Sequence, residues 1–276
     1  GHRHSRRARS CVASSSRLLD RMLYDSLTVQ EVVDTESSAE FLKEATKLAT
    51  SRELENIAQR LEMKRGMFAE LLAPERLASL TEDEFVLLLD HVFSIRRKAR
   101  RLLRLISVES FRQRTQELLY GEEDVGDRFE RFVTLFEGSL DERRSINLAS
   151  ELQHFHDPHK HWLWTNWIWD PETGSGALPM VVQEGIVIEG KSSAERYRNV
   201  GAALRLVNEV GHAQNISGNT MGMLGTNLLL ACVHAVYMYT VFRLKLSDEF
   251  NRILPELPEL VERVLGVRGL EVVASG

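Results

Sequence analysis

Cysteine is nearly absent from this chain, and that scarcity excludes several solutions at once. Cys11 and Cys232 are the only two in 276 residues. They form no CxxC pair and no disulfide framework, so a reducing cytoplasm is the expected location. Proline is equally sparse in the first half. Between the N-terminal tail and Asp157 it occurs once, at Pro74, and glycine only at Gly66, Gly121, Gly126 and Gly138. So few helix breakers leave long helices as the default. Charge of one sign does not dominate: 35 Lys+Arg against 40 Asp+Glu give −5. That excludes a protein coated all over with nucleic acid and leaves room for a local basic patch. Internal repeats are missing, and so are the common catalytic signatures: no P-loop, no GxGxxG after a strand, no GxSxG elbow. Cys232 and His234 are two apart, diverge by about 160–200° on a helix, and cannot form a nucleophile–base pair.

What is present reads as a mainly α, multi-helix bundle-like protein with one small β-hairpin inserted near residues 178 to 189. A chain that is 43% hydrophobic and 27% charged can bury a sizeable core. Residues 1–16 read as a mobile basic tail without the apolar stretch of a secretory signal. Residues 17–157 form an N-terminal helical region, and 158–276 a C-terminal region with an aromatic segment, the hairpin and a central apolar helix. Thr28-x-x-Glu31 and Thr81-x-x-Glu84 are capping boxes. After Thr81, Phe85, Leu88, Leu89, Val92, Ile95, Ala99, Leu102, Leu103 and Ile106 predict one long amphipathic helix. A second helix carries Val125, Phe129, Phe132, Val133 and Phe136 and ends at Gly138, and a third runs through Ile146, Ala149 and Leu152 and stops before Pro158. Pro171 to Gly176 is a turn cluster, and Met180 to Glu189 carries the hairpin pattern. Residues 221–242 carry no charge. They are long enough to span a bilayer, but Gly222, Gly225, Asn227 and His234 fit a buried central helix better, whose polar stripe finds internal partners.

Three places concentrate chemistry. The four tryptophans, Trp162, Trp164, Trp167 and Trp169, fall within eight residues. They serve either as a core plug where the helical half meets the hairpin or as an exposed anchor for a protein partner or a second copy. The hairpin edge beside them could pair with another chain. Just before them, His154, His156, His159 and His161 offer imidazoles for a transition metal, with Glu151, Asp157 and Asp170 at hand. The spacing matches no established metal motif, and Glu151-x-x-His154 lacks the second pair that a di-metal bundle needs. Arg96, Arg97, Arg100, Arg101 and Arg104, with Lys98, form a positive ridge suited to phosphates. The competing reading is that Glu82, Asp83 and Glu84 open that helix and the arginines close it, as the helix dipole favours, with Glu122, Glu123 and Asp124 as further partners.

From these residues the leading expectation is a non-catalytic accessory protein that binds a protein partner, or itself as a homo-oligomer, through Trp162–Trp169. A metal-binding protein or metal-dependent enzyme built on the four histidines is the second. Nucleic-acid binding through Arg96–Arg104 is the third, and a membrane partner ranks last.

Overall fold

Side-chain caps decide where the helices of this chain begin. A computed structural model describes residues 33–186, 188–214, 222–245 and 255–271. Asp34 accepts the amide of Ser37 at 2.9 Å and opens α1, Thr35–Leu48. Thr50 and Glu53 form a reciprocal capping box at the head of α2, Ser51–Leu71, before the short α3, Pro74–Leu77. Thr81 and Glu84 do the same for α4, Glu82–Asp90, as the sequence predicts. The basic tail and the Thr28–Glu31 box lie outside the described residues.

The long helix expected from Thr81 to Ile106 is broken. α4 ends at Asp90, a turn and a 3-10 segment, Arg96–Lys98, follow, and α5 restarts at Ala99–Ile106. A tertiary contact sits at the break: His91 Nδ1 meets the carbonyl of Gly266 at 2.9 Å, and Gly266 packs so closely that a Cβ there would fall 1.9 Å from the His91 carbonyl oxygen. Periodicity misses the break because a 3-10 turn also advances in steps of three, so Val92 and Ile95 stay on the buried stripe.

Next come α6, Val108–Tyr120, α7, Val125–Leu135, and α8, Glu142–His156, which stops before Pro158 as expected. The C-terminal part supplies α9, Ser193–Gln214, α10, Met223–Lys245, and α11, Leu257–Leu265. α8 packs on α2 and α7, α7 on α9, and α10 on α1, α9 and α11. Helices from both sides of residue 157 therefore share one hydrophobic core.

The expected hairpin does not form among the described residues. Leu178–Met180 is a 3-10 turn, and the Val181 carbonyl accepts the amide of Asp34 at 2.9 Å. Val182 pairs with Val33 in an isolated antiparallel bridge, and Gln183 Nε2 donates to the Val33 carbonyl. The β-branched pair is thus matched to the start of α1 rather than to Ile186 and Ile188, and Gly185 turns the chain at φ +88°. The turn cluster holds: Gly174 has φ +66°, and Asp170 bridges to Ser175.

α10 contains the charge-free run. By length and composition Met223–Val241 could cross a membrane, with mean hydropathy 1.4. In this fold 61% of that window is buried in the protein, Leu228, Leu230, Ala231, Cys232 and Val233 completely. At the far end of the core, Gly266 caps α11 in the left-handed conformation at φ +67°.

A Cβ at residue 266 would sit 1.9 Å from the His91 carbonyl oxygen. Gly266→Ala therefore adds a backbone clash to a left-handed strain of about 1–2 kcal/mol, and denaturant unfolding should show a loss above that range. Gly269→Ala, at φ +88° with open space around it, should lose only the strain. Equal losses in the two variants would contradict the packing described for His91.

Candidate functional site

α8 is buried over eleven consecutive residues, Ser145 to Phe155. A helix so enclosed carries polar residues only where they find partners. Asn147, Ser150 and His154, spaced three and four apart, lie along one face and hold the segment that follows the helix. Asn147 Nδ2 donates to Asn166 Oδ1 at 2.7 Å, and the Asn166 amide donates back to Asn147 Oδ1 at 3.0 Å. Ser150 Oγ donates to the Trp162 carbonyl and accepts the Trp164 amide. His154 Nδ1 donates to the His161 carbonyl at 2.8 Å, which leaves Nε2 to accept from Asn227 Nδ2 of α10 at 2.6 Å. Both ring nitrogens are spent, the proton sits on Nδ1, and burial drives the pKa down to about 3.

The tryptophan segment docked in this way is an irregular stretch and a turn, Thr165 to Trp169, rather than a helix. Trp164, Trp169 and Trp167 are 0%, 2% and 5% exposed. Trp164 stacks on Phe129 and Trp169, Phe129 stacks on Tyr197, and Trp164 Nε1 donates to the Trp169 carbonyl at 2.9 Å. Trp167 lies beside His234. Trp162 is half-buried over Gly201 of α9, where a Cβ would fall 2.1 Å from its ring. Trp164, Trp167 and Trp169 are packed as a core plug and are too enclosed to stand as an exposed anchor in this fold, while Trp162 keeps part of its surface exposed.

The four histidines do not converge. His154 is sealed in the core. His156 contacts Tyr120 edge-on, with Nε2 3.2 Å from the phenol oxygen. His159 is exposed, and His161 is buried, its pKa lowered to about 4 mainly by burial and then by the Arg128 charge. Asp170 is held by Arg143 at 2.7 Å. Among the described residues no group of three or more His, Cys, Asp or Glu side chains is placed to hold a metal ion.

Glu151 has a different partner. Lys64 Nζ lies 2.6 Å from Glu151 Oε2 and 2.7 Å from the Leu265 carbonyl, and sits 3.9 Å above the Phe155 ring. Both side chains are fully enclosed, so burial pulls the lysine pKa down and pushes the glutamate up, each partner opposing the other's shift. Lys64 escapes a reading focused on aromatics and histidines, yet its signal is in the sequence. It falls on the buried stripe Leu54, Ile57, Ala58, Leu61, Lys64, Phe68, Leu71 of α2, where a charge needs an internal partner.

The surface tells a separate story. Arg97, Lys98, Arg100, Arg101 and Arg104 are exposed on the 3-10 turn and α5, and Arg96 is half-buried over Phe93. Of the further partners expected for them, Glu123 pairs with Arg131 and Asp124 with Arg198, and Glu122 makes no ion pair with the ridge among the described residues. Arg100 reaches Asp83 at 3.5 Å. Because α4 and α5 are separate helices, the acidic start of α4 cannot share a dipole with the arginines of α5. Beside this ridge, a depression of about 150 Å³ is lined by Lys98, Arg101, Leu105 and Arg144. It shares Asp141 and Arg144 with a cleft of about 820 Å³ that runs past Phe93, Asn147, Asn166 and Glu172. No protein-family model, no curated protein and no solved structure matches this chain.

Two outcomes follow for the interior. Lys64→Met leaves Glu151 enclosed without its cation and should cost about 3–5 kcal/mol, whereas Lys64→Met/Glu151→Leu should recover most of it. Urea unfolding of both singles and the double decides this, and simply additive losses would contradict a coupled pair. His154, His161 and His234 have folded pKa values of about 3, about 4 and about 4, below the usual 6.5. Their contribution is complete above pH 6.5 and is lost as pH falls, because the unfolded chain takes up protons the folded one refuses. Between pH 6.5 and 5 stability should drop by up to about 1.4 kcal/mol per pH unit for each histidine. A flat stability profile from pH 7 to 5 would show that these rings are not held neutral.

Proposed function

We propose that the protein works by binding a macromolecular partner rather than by catalysis. Its working surface is the face formed by Phe93, the 3-10 turn, α5 and the first turn of α8, in place of Trp162–Trp169. The observation that carries this reading is the makeup of that face. Leu105 and Phe93 stand 59% and 41% exposed beside exposed cations, along two connected depressions. Large apolar groups are costly to leave facing water, and apolar groups rimmed by charge fit an interaction site. The reactive side chains of the interior support the same reading. Lys64, Glu151, His154 and Cys232 are each packed away from solvent, and burial raises the Cys232 thiol to about 12.

A photo-crosslinking amino acid placed at Leu105 of the full chain, in lysate of the native cell, should give discrete adducts. The same group at Leu48, exposed at the end of α1, should give none. An adduct of twice the chain mass identifies a second copy as the partner. Equal labelling from both positions, or none from either, removes this face as the working surface.

A further inference from the structure

Most exposed or half-exposed arginines among the described residues rest against carboxylates: Arg65 on Glu62, Arg131 on Glu123, Arg198 on Asp124 and Asp127. Arg97, Lys98, Arg101 and Arg104 are exposed and make no ion pair among the described residues. Two features show that this charge is not placed for local stability. α5 has no acidic residue in its first turn and instead carries Arg100 and Arg101 there, at the positive end of its dipole. Like charges are also crowded: burial, then Arg97, Arg263 and Arg268, lower Arg96 from its usual value. Repulsion of this kind is relieved by a polyanion.

Building on the binding face proposed above, we infer that this ridge takes the phosphate backbone of a nucleic-acid duplex. Five of the six cations in the run are arginines. Their guanidinium forks match phosphate oxygens pairwise, whereas a diffuse anionic surface rewards lysine equally. A lipid surface is disfavoured for a second reason. The apolar stripe of α5, Leu102 and Leu103, is buried in the core, so Leu105 alone is exposed and the helix lacks the broad apolar face that lies in a bilayer. Single strands are bound on open aromatic platforms. This face carries one exposed ring, Phe93, with the Arg96 guanidinium 5.3 Å over one side, so it offers no row of rings for successive bases. From Arg97 to Arg104 the cations extend over about 10 Å, alongside a duplex that presents one negative charge per about 1.7 Å of its axis. Two carboxylates beside the ridge, Asp83 and Asp141, are paired with Arg100 and Arg144.

The test is fluorescence anisotropy of a labelled 20-base-pair duplex of arbitrary sequence with the full chain, competed by a single strand, phosphatidylserine vesicles and polyglutamate. With four phosphate contacts, binding at about 50 mM salt should weaken about 150-fold by 200 mM, a log–log slope near −3.6. Arg101→Glu/Arg104→Glu should lower affinity at least tenfold and reduce the slope by about 1.8, with the melting temperature unchanged. Arg52→Glu, an exposed arginine on α2, should bind like the parent chain. If the charge reversal lowers the melting temperature, Arg101→Gln/Arg104→Gln gives the same slope reading. No duplex binding at 50 mM overturns the inference, as does better competition by single strand, vesicles or polyglutamate than by duplex, or an equal loss in Arg52→Glu. Adducts at Leu105 that survive nuclease while duplex binding fails would overturn the duplex and leave the binding face standing. Loss of both removes both.

Discussion

The backbone of residues 161–165 runs largely through the protein interior without regular structure, and side chains of α8 bond several of its polar groups. Buried amides and carbonyls outside a helix or sheet need partners one by one. α8 supplies them from one face: Asn147 to Asn166, Ser150 to Trp162 and Trp164, His154 to His161. His154 then hands its remaining nitrogen to Asn227. This ladder sets the segment against α8, and the segment in turn places Trp164 and Trp169 in the stack with Phe129 and Tyr197. Helices on both sides of residue 157 are joined through one irregular segment because a helix with a polar stripe can act as its template.

A second buried polar contact closes the other end of the core. Lys64, Glu151 and the Leu265 carbonyl tie α2, α8 and α11 together, while His91 binds the neighbouring Gly266 carbonyl. An enclosed ion pair contributes little net stability, since desolvation offsets attraction, but breaking it is costly. Its effect is to fix one arrangement of three helices. The most chemically distinctive interior groups are therefore used to specify the fold. That is why the functional reading moves outward, to a face where charges and apolar groups are left without internal partners.

That face owes its character to the break between α4 and α5. A continuous helix would have set Glu82, Asp83 and Glu84 at one end and the arginines at the other, a neutralising arrangement. With the break at His91, the cations become a separate ridge that starts a new helix. Asp141 and Arg144, at the start of α8, line both the depression beside this ridge and the larger cleft, so basic, apolar and amide groups lie along neighbouring depressions.

The helical class, the Thr81–Glu84 box, the stop before Pro158 and the turn at 171–176 were legible because each depends on residues a few positions apart. Local rules of capping, proline geometry and periodicity are enough there. The buried lysine of α2 was legible in principle, as a charge out of place on an apolar stripe. Other features were settled only in three dimensions. Val181 and Val182 carry a strand pattern, but their partner is Val33–Asp34, about 150 residues away, and not the next turn of chain. The histidines and tryptophans look like a single cluster in sequence, yet an irregular segment turns successive residues toward different neighbours: His154 to Asn227, His156 to Tyr120, Trp162 to Gly201, Trp167 to His234. Composition determined that these groups would need partners, because rings and imidazoles taken from water must pack and bond; only the packing of distant helices decided which partners they found.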